Sequence, residues 1–233
     1  ETESLPEFTD LPNYEDIEFP ASEKKLIDVL ETGAVYRESE VIARTGETWL
    51  TLFENGRKYS LRNARATVQR LRSTSYPGDE HDVRLKLDQP GTPIFAVKNL
   101  KTLKPGPVVT LYHRPSPKEI ESRNLPIGAI ESGFEQVFDL GKRTYTLRTG
   151  TGSMRDGRTV IVLVLEFENQ SQAVAYNVHS PDEKGIIGNL MWVGDLDNDG
   201  KLDLYFDEYN EKGAFGVGLY LSSEADEGKL VKL

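Results

Sequence analysis

The chain has 233 residues, a formal net charge of −10 and no cysteine. That length allows one large or two small domains, and 37% hydrophobic with 28% charged residues supports a packed core and excludes wholesale disorder. The lack of thiols excludes a disulfide framework, thiolate zinc and cysteine catalysis; the acidic balance argues against nucleic acid, whose phosphates need a basic surface.

Residues 1–22 carry Pro6, Pro12 and Pro20 without periodicity, and their acids (Glu1, Glu3, Glu7, Asp10, Glu15, Asp16, Glu18) face no base before Lys24. An acidic flexible leader is expected there. The chain begins with Glu1 rather than Met, so we expect that an upstream segment has been removed and that the protein is exported, periplasmic or extracellular. No apolar run reaches the ~18 residues of a membrane-spanning helix. The longest, VIVLVL at 160–165, fits a central strand covered on both faces.

EKKLIDVLE at 23–31 carries the single helix-like period and predicts one short helix. The segments VYRESEVIAR, TWLTLFE, RKYSLRNARATVQRL, DVRLKLD and PIFAVKNL then alternate apolar and polar residues, as strands do. Asn55-Gly56 is placed as the centre of a type I′ hairpin turn. The proline-rich piece LKPGPVVTLYHRPSPKEIESRNLPIG breaks the pattern. It predicts a boundary near Pro115–Pro126, between an N-terminal β lobe (23–118) and a C-terminal β-meander lobe (125–233). In the second lobe, turns are expected at Gly141-Lys142, Asp156-Gly157 and Asn169–Gln172, between GFEQVFDL, RTYTLRT, RTVIVLVLEFE and AVAYN. NLMWV, KLDLYF and GVGLYL follow. The fold class predicted is mainly β, with antiparallel sheets in two lobes. Alternation selects Val160, Val162 and Val164, with Phe167, Leu190, Trp192, Leu204 and Phe206, as the shared interior of the second lobe.

Residues 194–208 read GDLDNDGKLDLYFDE, six acids and one base between Asp195 and Glu208. Like charges in so short a run repel one another, yet the flanks are apolar. A cation resolves the conflict. Ca²⁺ takes six to eight oxygen ligands at ~2.3–2.6 Å. Asp195, Asp197 and Asp199 supply carboxylates from alternate positions, Gly200 permits a sharp turn, Lys201 offers its backbone carbonyl, and Asp203 closes the cage. Mg²⁺ is disfavoured because it demands a tighter octahedron and keeps its waters. An ordinary solvated acidic turn is the competing reading, since DG and DN are common turn formers.

The EF-hand pattern is incomplete: its twelfth position, a glutamate, is Phe206 here, and strand-like segments flank the loop. The stretch instead resembles the loop of FG-GAP and VCBS-type repeats, GDLDGDGKLDL in a strand–loop–strand setting, departing only at Asn198. The resemblance covers about Trp192–Phe206 and occurs once, whereas a propeller needs at least four blades. It therefore implies calcium binding and not a propeller. The C-terminal stretch also resembles exported bacterial proteins with a single such loop, a group that implies no particular reaction.

Other chemistry-bearing residues form no motif. His81, His113 and His179 lack metal-ligand spacing, and no GxSxG elbow surrounds Ser153. Glu166 and Glu168 could pair as glycosidase carboxylates or be solvated strand residues. Trp49, Trp192 and the ten tyrosines could form a sugar platform or fill the core. The expectation is an exported, non-enzymatic calcium-binding β-protein with a structural ion, serving binding, adhesion or the envelope through a cell-surface protein or polysaccharide. The alternative is a carbohydrate-active enzyme or other hydrolase, to be recognised by clustered carboxylates away from the calcium loop.

Overall fold

The alternating segments become strands in a computed structural model that describes residues 28–39, 41–71, 81–115, 128–154, 157–180, 185–209 and 215–233. Among these residues the regular structure is all strand, arranged in antiparallel pairs. No helix among them is long and apolar enough to cross a membrane. The leader predicted at 1–22 lies outside the described residues. The helix predicted at 23–31 does not form where it is described: Asp28–Glu31 is strand β1, paired with β6 (Thr92–Lys98) from Asp28↔Lys98 to Glu31↔Phe95. Four residues bonded along an existing strand gain a full ladder, which outweighs a helical period too short to nucleate by itself.

The chain divides into two compact units, Lys24–Val109 and one that includes Thr110–Leu233. The division falls inside a strand, β7 (Gly106–His113), within the proline-rich piece but ahead of the expected Pro115–Pro126 boundary, most of which lies in 116–127, outside the described residues.

In the first unit, β3 (Thr48–Asn55) lies between β4 (Lys58–Arg70) and β6. β4 also pairs with the start of β7 and with β5 (Asp82–Leu87), which in turn pairs with β2 (Val35–Arg37). Trp49 is fully buried and packs with Leu30, Ala66, Leu85 and Ala96. The β3–β4 hairpin forms, but its turn is Gly56-Arg57, because Asn55 pairs with Lys58. Gly56 alone has positive φ, 65°, the requirement of a turn with glycine first rather than of a type I′ pair.

The second unit contains two sheets. One is ordered β12 (Gln170–His179), β11 (Thr159–Phe167), β10 (Arg143–Ser153), β9 (Glu135–Leu140). The other contains β8 (Ala129–Glu131), β13 (Ile186–Asp195), β14 (Asp203–Tyr209) and β15 (Phe215–Tyr220), with β13 between β8 and β14. Their apolar faces share one core, which includes Leu147, Ile161, Leu163 and Leu165 from the first sheet and Leu190, Leu204 and Phe206 from the second. Each fully buried aliphatic side chain stabilises by about 1.5–3 kcal/mol.

β11 is internal and buried on both faces, as its unbroken apolar run requires. The face that enters the shared core is Ile161–Leu163–Leu165. Val160, Val162 and Val164 point the other way, into a separate cluster with Val178. Phe167 is half-buried at the edge of the main core. Trp192 is fully buried outside it, and its Nε1 donates to Thr110 Oγ1 at 2.9 Å. A register shift between Leu190 and Trp192 explains that divergence: Leu190 faces Phe206, whereas Trp192 faces Tyr205. A bulge reverses the side-chain parity on which the alternation argument depends. Further along β13, a side chain at Gly188 would overlap the Asp207 carbonyl, so this close approach needs glycine.

Candidate metal centre

β13 and β14 close with Gly194↔Asp203 as their last ladder pair, so Asp195 and Asp203 stand at the mouth of the loop between them. Two buried leucines, Leu196 and Leu202, anchor the loop's ends. At the tip, Asn198 (φ 62°) and Gly200 (φ 77°) adopt left-handed conformations that turn the chain back. Asparagine tolerates this region best after glycine, which accounts for Asn198 where the FG-GAP pattern has glycine.

The turned backbone aims its N–H groups at the carboxylates. Asp199 N donates to Asp195 Oδ1 at 3.1 Å and to Asp197 Oδ1 at 3.2 Å. Gly200 N donates to Asp195 Oδ2 at 3.0 Å, and Lys201 N to Asp199 Oδ1 at 2.8 Å. Asp203, with no exposed surface, accepts from Leu196 N at 2.7 Å, Ser222 N at 2.8 Å and Ser222 Oγ at 3.0 Å. The Ser222 hydroxyl is also 3.1 Å from Asp199 Oδ2. Ser222 is held there because Leu221 bridges to Lys232, and because buried Gln172 bonds Leu230 N (2.6 Å), Val231 N (3.0 Å) and Val231 O (2.8 Å).

Carboxylate oxygens of Asp195, Asp197 and Asp203 all lie within 4.8 Å of one another. Two oxygens each ~2.4 Å from one calcium ion are at most ~4.8 Å apart, so the three could share an ion. Asp197 Oδ2 is shielded from solvent and has no hydrogen-bond partner. Burial pushes the Asp203 carboxyl up to about 8, against the lowering effect of its bonds from Ser222 and Leu196. Asp195 is also raised, first by burial and then by the charges of Asp199 and Asp197. Such a site favours an added positive charge, whether proton or cation.

Of the five residues expected to ligate, Asp195, Asp197 and Asp203 are brought together. The exposed Asp199 carboxylate is turned toward Ser222 and Lys201 N. The Lys201 carbonyl follows that of Gly200, which already accepts from Arg143 Nη1, and the next backbone unit, Leu202, is hydrogen-bonded to the Tyr145 hydroxyl. Asp207 belongs to the ladder, where Asn189 Nδ2 donates to both its oxygens at 3.1 and 3.0 Å. Ser222, Arg143 and Tyr145 carried no sequence signal, because each reaches the loop from another strand or its edge.

The remaining candidates separate. Among the described residues no second group of three or more His, Asp or Glu converges as metal ligands. His81 precedes β5, His113 ends β7, and His179 ends β12 with Nδ1 2.8 Å from Ser180 O. Ser153 pairs with Thr159 at the end of its hairpin. Glu166 is held by Arg148 at 2.5 Å, whereas Glu168 sits in the two-residue β11–β12 turn with φ 52°. The two glutamates therefore share no strand face, and that turn falls at Glu168-Asn169, ahead of the expected Asn169–Gln172. Trp49 and Trp192 are fully buried and offer no sugar platform. No family model, no curated protein and no solved structure matches the chain.

Proposed function

We propose that the β13–β14 loop binds one calcium ion in a structural role, in an exported, non-enzymatic β-protein that serves binding, adhesion or the envelope. One observation carries the reading: the Asp195, Asp197 and Asp203 oxygens lie within 4.8 Å of one another. The resemblance of GDLDNDGKLDL to FG-GAP and VCBS-type loops supports calcium over other divalent ions. Asp199 and the Lys201 carbonyl complete the ligand set in this proposal. The loop's ends are anchored by buried Leu196 and Leu202, which favours a staple over a switch. Extracellular calcium modules work with Kd of ~10⁻⁴–10⁻³ M, so a weak structural site suits a periplasmic or extracellular protein. The hydrolase alternative draws no support from Glu166, which is engaged by Arg148.

Calcium that binds the native state alone stabilises it by ~2.7 kcal/mol at 100-fold above Kd. The test is a thermal melt of the full chain in chelator, then with Ca²⁺ or Mg²⁺ added. The midpoint is expected to rise with calcium and to respond less to magnesium. An unchanged midpoint across all three conditions would refute the structural ion.

A further inference from the structure

Beside the ion loop, four segments of the second unit converge on a shallow cavity of about 110 Å³, roughly the volume of four waters. Its lining includes Arg143, Lys201 and Lys229, and among the described residues no carboxylate. Three cations around one hollow stand out in a chain of net charge −10. Its aromatic wall is the stacked pair Tyr145–Phe167, with centroids 4.7 Å apart and planes at 24°. Tyr145 is buried and Phe167 half-buried, so Phe167 keeps surface toward the opening. Gln170, exposed at the start of β12, adds an amide that both donates and accepts.

A guanidinium has five donors in a planar fork that matches a carboxylate. Arg143 uses that fork on the Gly200 carbonyl and the Tyr145 hydroxyl, which fixes it at the cavity while further N–H groups remain for a ligand. Cations that read a carboxylate, an aromatic face that receives a ring's C–H surface, and an amide for hydroxyls are together the chemistry of an acidic sugar. We propose that this cavity binds the carboxylate-bearing sugar of an acidic polysaccharide, with Arg143, Lys201 and Lys229 on the carboxylate and Phe167 under the ring. Its placement next to four loop aspartates makes the binding stronger when a divalent ion offsets their charge. That calcium dependence rests on the ion reading above; the cavity does not.

The test titrates the full chain with methyl glucuronoside, methyl glucoside or inorganic phosphate, with calcium and with chelator, following backbone amide resonances. Saturable shifts at Gln170, Lys201 and Lys229 with the glucuronoside, absent with the glucoside, are expected. Lys229→Glu, exposed and outside the ion loop, should weaken the affinity about tenfold and leave the melting response to calcium in place. Equal saturation by phosphate would reduce the site to a general anion site and overturn the sugar assignment, and so would shifts that never saturate. Glucuronoside binding that persists in chelator, in a protein whose melt ignores calcium, supports the cavity and removes the ion. A calcium-dependent melt without glucuronoside binding removes the cavity and keeps the ion.

Discussion

Neighbouring hairpins of the second unit reverse the chain by very different means. β9–β10 closes with Gly141-Lys142 alone, and β11–β12 with Glu168-Asn169. β13–β14 uses the whole stretch between Asp195 and Asp203, buries both of those aspartates, and anchors two leucines beside them. Two residues are enough to turn an antiparallel pair. The longer loop is therefore not needed for reversal, and its buried carboxylates cost stability unless something neutralises them. The contrast separates a turn set by backbone conformation from a loop set by electrostatics.

The largest expected effect is at Asp203. Asp203→Ala removes the acceptor for Leu196 N, Ser222 N and the Ser222 hydroxyl, and should cost on the order of 3 kcal/mol in chelator and more in calcium, where a ligand is lost as well. Denaturant unfolding measures this; a loss below about 0.5 kcal/mol would make Asp203 as dispensable as an ordinary turn residue.

Next comes the double variant Asp197→Ala with Asp199→Ala. It removes two carboxylates from one repelling set, so in chelator its midpoint should match or exceed the parent's. In calcium it should fall below the parent, by up to the ~2.7 kcal/mol that saturation provides. If it responds to calcium as the parent does, the ion is held elsewhere.

The pH dependence sharpens the same contrast. Without calcium, burial holds Asp203 up to about 8, while an unfolded aspartate titrates near ~3.9. Between those values the native state holds more protons than the unfolded chain, so stability falls as pH rises. The contribution is complete below about 4 and is lost as pH rises through about 8. Asp203→Asn has no proton to lose there, so its melting midpoint in chelator should decline less across pH 5–9. Calcium competes with those protons, so the increment it gives the parent should grow with pH. A calcium increment that shrinks with rising pH would contradict this.

The smallest effects compare two glycines of similar conformation. Gly141 (φ 63°) has open space where a side chain would go, and Gly200 (φ 77°) meets only Arg143 Nη1 at 3.7 Å. Alanine at either should cost about 1 kcal/mol through its φ alone. Gly141→Ala should do so equally in calcium and chelator, whereas Gly200→Ala should also weaken the calcium response. Equal calcium responses would place Gly200 with the ordinary turns.

Several features were legible in the sequence because they depend on residues close along the chain. Alternation marked the strands, Gly141-Lys142 marked its turn, and the spacing of Asp195, Asp197 and Asp203 marked residues that do meet. Other features needed the tertiary structure, because partners distant in the chain decide them. β1 is a strand because β6 offers it a ladder. The Asn55-Gly56 signal indicated a hairpin, but pairing across the strands moved its turn by one residue. β11 is apolar on both faces, so alternation alone could not say that Ile161, Leu163 and Leu165, rather than Val160, Val162 and Val164, enter the shared core. One bulge sends Trp192 away from the face of Leu190. At the loop, sequence spacing located the carboxylates but not Ser222, Arg143 or Tyr145. Those residues reach it from other segments, and only the packing of strands remote in sequence brings them there.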